Sequence, residues 1–367
     1  MPPATHPASR VEALDLLRLV AVLAVVLYHY GFWGPTSQGV PQVALPWLAP
    51  AAKYGFLGVP GFFIISGFVI AYSAEGRTAT GFAIARFSRI YPTFVFCMTL
   101  TFLAIVLLGP PHFETSAAQW FANLFIAAPA FGQPYMDGAY WSLVIEVVFY
   151  AWVAVFIAAG LFPRRIDVII MAWLAITLAN ELTIDAPIIE KLFLADDSGY
   201  FAVGLLIYEF YRGRRDAMLY GLLALATGTA VFQSIHKAVK LAPHTGGTFD
   251  EWTVTAVFLA SAAIIFMATR VRHLPLPPGL VLAAGGLTYP LYLLHMQLGY
   301  VLFVRWHPAG ATGLTITIVL GMIGLSWVVW RYFERGAQGW IRNVLTRGAT
   351  RLGWPLRLRT AAGSGIT

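Results

Sequence analysis

Runs of about twenty mostly apolar residues recur along nearly the whole chain, and this recurrence constrains the fold more than any other feature. A bilayer core of about 30 Å needs roughly 17–25 residues of helix to cross it. Ten stretches qualify, at about residues 14–33, 53–74, 88–108, 139–161, 166–182, 192–211, 217–233, 252–268, 281–304 and 313–332. Composition agrees: 11% of residues are charged and 59% apolar, against about 25% and about 45–50% in soluble domains. A water-soluble fold of this length would lack the charge to cover its surface. The expected fold class is therefore all-α, a polytopic membrane helix bundle of about ten transmembrane helices.

The positive-inside rule counts Lys and Arg in short loops and near span ends. With Arg18 set aside as intramembrane, one side collects 18 basic residues and the other 5. An even number of spans with both termini in the cytoplasm is expected. The net charge of +7 is spread over loops and forms no single patch, which excludes nucleic acid as a partner. The single cysteine, Cys97, lies in an apolar run, so no intrachain disulfide and no cysteine-based metal site are expected. No A-x-A cleavage signal follows the first run, which reads as a retained span. Connections 34–52 and 109–138 are long, apolar and almost uncharged. Within the second, residues 119–131 are too few to cross and suit an interfacial or re-entrant segment. Two regions are expected, a membrane domain over 1–335 and a basic tail over 336–367. In that tail Trp340, Ile341, Val344 and Leu345 alternate with arginines, as in a helix lying on an anionic leaflet.

A charge at mid-bilayer costs at least about 2.5–3.5 kcal/mol, so ionisable groups inside spans usually mark a functional path. Asp15, Arg18, His29, Glu146, Glu209 and His295 are such groups, with Asp15 and Glu209 near span ends. Arg18 and His29 are eleven positions apart. That is three helical turns plus about 20°, which puts both on one face about 16 Å apart along the axis. Counting from the expected span ends brings His29, Glu146 and His295 to a similar depth in the outer part of the bilayer. Histidine and glutamate at one level suit general-base chemistry, and equally a proton path. The three lack the local spacing of a metal site, so no metal is assigned. Arg77, Arg86 and Arg89 precede the third span, and the last two, at i and i+3, share a helix face that could clamp phosphates or merely set topology.

These residues fall into segments that together resemble the acyltransferase type 3 family, integral membrane enzymes that O-acylate sugars and other hydroxyl-bearing molecules. The segments are Leu14-Asp15-Leu16-Leu17-Arg18 with His29, Phe62 to Phe68 around Ser66-Gly67, Arg86 to Pro92, Trp141-Ser142 to Glu146, and Leu287 to His295. Thr288 stands where the family usually has Ser, and Gly336 where Pro is common. The resemblance implies no bound cofactor, with acyl-CoA, usually acetyl-CoA, as cytoplasmic co-substrate. It implies a carbohydrate or glycoconjugate acceptor, often extracytoplasmic, and a multi-pass location in the bacterial plasma (inner) membrane. Arg86, Arg89 and Tyr91 would bind acyl-CoA, and Arg18 would orient the pantetheine or thioester. His29 would act as general base or transient acyl carrier, held by Glu146. Ser142, one turn before Glu146, and Ser66, Tyr289 and His295 would assist in binding or in polarising the carbonyl. Ser66-Gly67 also suits helix packing, and Trp141 suits an interfacial anchor or a sugar platform. A proton-coupled transporter, and an acyltransferase for a cytoplasmic small molecule, are the alternatives.

Overall fold

Within a bilayer every backbone N–H and C=O must be satisfied inside the chain, so apolar runs of this length fold as helices. A computed structural model describes residues 11–40, 46–110, 113–271, 274–306 and 312–356, and every regular element among them is helical. In chain order the bundle contains α1 (Glu12–Ser37), α2 (Ala49–Ala74), α3 (Ala79–Leu108), α4 (Gly138–Ala158), α5 (Ile166–Ile184) and α6 (Ser198–Tyr211). It continues with α7 (Ala217–Thr245), α8 (Glu251–Ala268), α9 (Pro278–Leu294), α10 (Gln297–Trp306) and α11 (Gly313–Arg351). Among the described residues eight of these are long and apolar enough to span a bilayer, and α9 with α10, bent by 66° at their junction, pass the same test as a pair, which makes nine if the pair is one broken span. Exposed Leu107, Leu320 and Val106 on the outside are what a lipid-facing surface requires.

The sixth expected span is shorter than the sequence suggests. Its first residues form a separate helix, Pro187–Phe193, that stops at Leu194 in the left-handed region, φ 54°. What remains, α6, has 14 residues, about 21 Å of helix. It is nonetheless the centre of the bundle, buried from Ser198 to Phe210 and packed mainly on α2 and α7. Glycine permits this contact, since a Cβ on Gly204 would meet the Ile64 carbonyl oxygen at 2.0 Å. The expected helical membrane bundle is thus present, with eight candidate spans by length and composition among the described residues, nine if the bent pair is one span, and one short central helix. The seventh also differs, running on to Thr245, where Lys237 and Lys240 pair with Asp197 and Asp196.

Two features place the site. Helix α3 starts at Ala79, capped by the Thr78 hydroxyl, so Arg86 and Arg89 lie within the helix and not ahead of it. Helix α11 passes through a π-helical stretch, Val329–Glu334, and continues to Arg351 against α3. Phe333 stacks on Phe96 at 4.1 Å, and Gln338 Nε2 donates to the Arg89 carbonyl at 3.1 Å. The described part of the tail is therefore a continuation of the last span. Residues 119–131 form a short helix, Ala117–Asn123, and turns stitched by Asn123, which donates to the Gln119 and Pro134 carbonyls and accepts from Met136 N.

Candidate active site

Helices α1, α2, α3, α4, α9 and α11 enclose a cavity of about 760 Å³, within the usual range for ligand sites. Six arginines line it, Arg18, Arg77, Arg86, Arg89, Arg335 and Arg342, against three carboxylates, Asp15, Glu146 and Glu334. The excess of positive charge suits a polyanion. Arg18 lies 3.7 Å from Asp15 on the same helix, and Arg89 lies 3.6 Å from Glu334. The Arg86 guanidinium sits over the Phe82 and Tyr150 rings at 5.8 and 5.9 Å, and its Nε is buried without a hydrogen bond.

Ser142, Glu146 and Tyr150 follow at intervals of four along α4 and so share one face. Glu146 accepts from Ser66 at 2.9 Å and from the Tyr150 hydroxyl. Tyr289 lines the cavity while its hydroxyl donates to the Ile90 carbonyl at 3.1 Å. At the far end the Ser142 and Tyr292 hydroxyls lie 2.6 Å apart, and Phe62 packs on Tyr292 with ring centroids 5.7 Å apart. These three residues line the cavity, and neither His29 nor His295 does.

The histidines lie beyond it. His29 starts a π-helical segment, His29–Trp33, a local widening that recurs at functional sites. Its Nδ1 is 2.9 Å from Nε2 of the fully buried His295, whose Nδ1 is 2.8 Å from the Tyr292 carbonyl oxygen. Backbone contacts fix the pair: Tyr30 Oη donates to the His295 carbonyl at 2.5 Å, and Tyr300 Oη to the His29 carbonyl at 3.3 Å. The break between α9 and α10 frees further backbone groups. Tyr140 Oη takes up the Leu293 carbonyl at 3.1 Å, and Asp137 accepts Gln297 N at 2.7 Å and Ala139 N at 2.8 Å. Asp137 lies just before α4, and burial pushes its carboxyl up to about 7 against the opposing pull of those two N–H bonds.

The expected level of three groups is therefore two. Ser142 and Tyr292 mark one height; Glu146 is four residues to one side of it, about 6 Å, and His295 three residues to the other, about 4.5 Å. Glu146 partners Ser66 and Tyr150, and the ring that contacts His29 is His295 instead. Tyr91 also departs from expectation. It lies outside the cavity, stacked 4.6 Å from Phe87. Trp141 is partly exposed, with Lys237 Nζ 5.3 Å from its ring. Sequence reasoning missed Tyr150, Tyr292, Arg335, Arg342 and Asp137. Tyr150 and Tyr292 had a signal, lying at i+4 from Glu146 and i−3 from His295, whereas Asp137 had none.

Fold and site together define a polytopic membrane protein in which a cationic cavity leads towards a buried histidine pair. Residues 11–331 match the family described as an acyltransferase domain. The chain belongs to that family and is a membrane acyltransferase. It is 30% identical over 256 residues to the exopolysaccharide production protein ExoZ of Rhizobium meliloti, covering 66% of this chain and 75% of that one. It is 27% identical to the peptidoglycan O-acetyltransferase OatA of Listeria monocytogenes, over 38% of this chain and 23% of the relative. A putative peptidoglycan O-acetyltransferase of Bacillus subtilis, YrhL, is also 27% identical, over 41% and 24%. The chain thus matches only about a quarter of each of these two larger proteins. No solved structure matches it.

Proposed function

We propose that this protein transfers an acyl group, acetyl in the simplest case, from acyl-CoA at the cytoplasmic face to a hydroxyl of a carbohydrate or glycoconjugate on the opposite side of a bacterial plasma membrane. The observation that carries this reading is the arginine-lined cavity that stops one aromatic layer short of the His29–His295 pair. A polyanionic nucleotide suits the arginine end. The thioester arm must then cover the axial distance from Arg18 to His29, about 16 Å, and pass the Phe62 and Tyr292 layer. Arg86 and Arg89 hold phosphates, and Arg18 meets the pantetheine part of the donor and not the reacting carbonyl. Glu146, with Ser66 and Tyr150, balances the charge of the arginines.

At the pair, His29 takes the proton of the acceptor hydroxyl as its oxygen attacks the thioester carbonyl carbon. The C–S bond breaks and CoA leaves as a thiolate. Transient acylation of His29 before transfer fits the same geometry. The O-acetyltransferase names of two relatives, and the exopolysaccharide role of a third, support an acetyl group and a glycan acceptor. The test is purified protein in proteoliposomes with labelled acetyl-CoA and candidate glycans. Label should pass to glycan, and His29→Ala should lower the rate by about 10²–10⁴ with expression unchanged. Activity within about tenfold of wild type in that variant would exclude the base role.

A further inference from the structure

A backbone carbonyl carries no proton, so the 2.8 Å contact between His295 Nδ1 and the Tyr292 oxygen requires a hydrogen on Nδ1. Neutral imidazole has one N–H, so His295 Nε2 is a bare lone pair. That lone pair faces His29 Nδ1 at 2.9 Å, and a hydrogen bond there requires the hydrogen to sit on His29 Nδ1. His29 Nε2 is then the unprotonated nitrogen.

From this chain of donors and acceptors we propose that His295 is a positioning residue that fixes His29 in its Nδ1–H tautomer and presents the Nε2 lone pair to the acceptor hydroxyl. The inference rests on His29 being the base. The pair has little freedom to rearrange. Tyr30 and Tyr300 bond the two histidine carbonyls crosswise, and a Cβ on Gly299 would meet Tyr30 Oη at 2.1 Å. The other titratable groups around the pair are Tyr28, packed edge-on to His29 at 5.2 Å, Tyr292, and Asp137, which holds Gln297 two residues past His295.

A consequence follows for the proton. When His29 Nε2 accepts it, the Nδ1–H of the imidazolium still faces a neutral nitrogen, and the chain beyond ends at a carbonyl that can accept a hydrogen bond but not a proton. The pair therefore holds the proton at His29 or passes it at most to His295, and returns it to the departing thiolate or to water. It does not form a wire across the bundle.

The test is ¹⁵N NMR of full-length protein in nanodiscs with labelled histidine, His29 being assigned by its loss in His29→Gln. Wild type should show His29 protonated at Nδ1, with a nitrogen–nitrogen coupling to His295. Glutamine at 295 places its amide oxygen near the Nε2 position, whereas asparagine reaches only the Nδ1 position. His295→Asn should therefore remove the nitrogen acceptor opposite His29 Nδ1, leaving the Val25 carbonyl as the remaining acceptor near the ring. It should shift His29 towards the Nε2–H tautomer and lower kcat by about 10–100-fold with KM for acyl-CoA little changed. His295→Gln should restore the Nδ1–H tautomer and most of kcat. Equal losses in the two variants would mean that His295 only fills space. The tautomer is read without donor or acceptor, so it stands apart from the proposed chemistry. An Nε2–H His29 in wild type would overturn this inference while leaving the base assignment intact.

Discussion

Arg86 and Arg89 occupy one helix face yet meet different surroundings. Arg86 is walled by Phe82 and Tyr150, while Arg89 is half exposed and faces Glu334. Lysine at 89 keeps the charge opposite Glu334, but lysine at 86 loses both the planar stacking and the fork that grips phosphate oxygens in pairs. Arg86→Lys should therefore weaken acyl-CoA binding more than Arg89→Lys. Either loss should be larger for acyl-CoA than for an acyl-pantetheine analogue without the nucleotide phosphates. Apparent affinities for both donors decide this. Equal losses for the two donors would mean that phosphates are held elsewhere, with Arg335 and Arg342 the next residues to vary.

Among the elements, the broken pair α9 and α10 has backbone groups freed at its break, and side chains take them up: Tyr30 of α1, Tyr140 of α4 and Asp137 just before α4. Asp137 accepts two N–H groups that asparagine cannot both satisfy, because one of its two polar atoms is a donor. Asp137→Asn should cost about 1–3 kcal/mol, and would disturb the His295 position through Gln297. The pH sign follows from the carboxyl being pushed up to about 7. An unfolded Asp titrates near about 3.9, so the fold binds the proton more tightly than the unfolded chain does. The resulting stability is complete below the unfolded value and is lost as pH rises through the folded one. Melting temperature of wild type should fall from about pH 4 to about pH 7, and Asp137→Asn should lack that slope. Parallel curves for the two proteins would assign the slope to other groups.

For the whole molecule, basic residues supply the expected sidedness. Arg77, Arg335 and Arg342 line the cavity, and Arg212 and Arg214 pair with Glu75, Asp167 and Glu209. Lys237 and Lys240 pair with Asp197 and Asp196 beyond the first residues of α6. Cysteines introduced at Thr36 or Gln133 should react with an impermeant reagent in intact cells. Those at Arg164 or Arg347 should react only after permeabilisation. The buried native Cys97 should contribute little background. The reverse pattern would exchange the donor and acceptor sides.

Hydropathy and run length determined the helical bundle, because apolar runs of about twenty residues suit spanning helices and not the short alternating strands of a closed barrel. They also singled out Arg18, Glu146, His29 and His295, because each ionisable group stands out against an apolar run, and Arg86 with Arg89 through their i, i+3 spacing. Depth counting failed for Glu146 because helix ends are uncertain by a turn, enough to merge two levels about 10 Å apart. Which residues touch was decided by tertiary packing. The bend after His295, the π-helical widening at His29 and the glycine contacts at Gly204 and Gly299 set the distances. The packing of α11 along α3 brought Arg335 to the cavity, and with it Arg342, which the sequence placed in a separate tail. Local pattern carries a residue's type and the face it occupies, but the partner across a helix interface depends on the crossing of two helices distant in sequence.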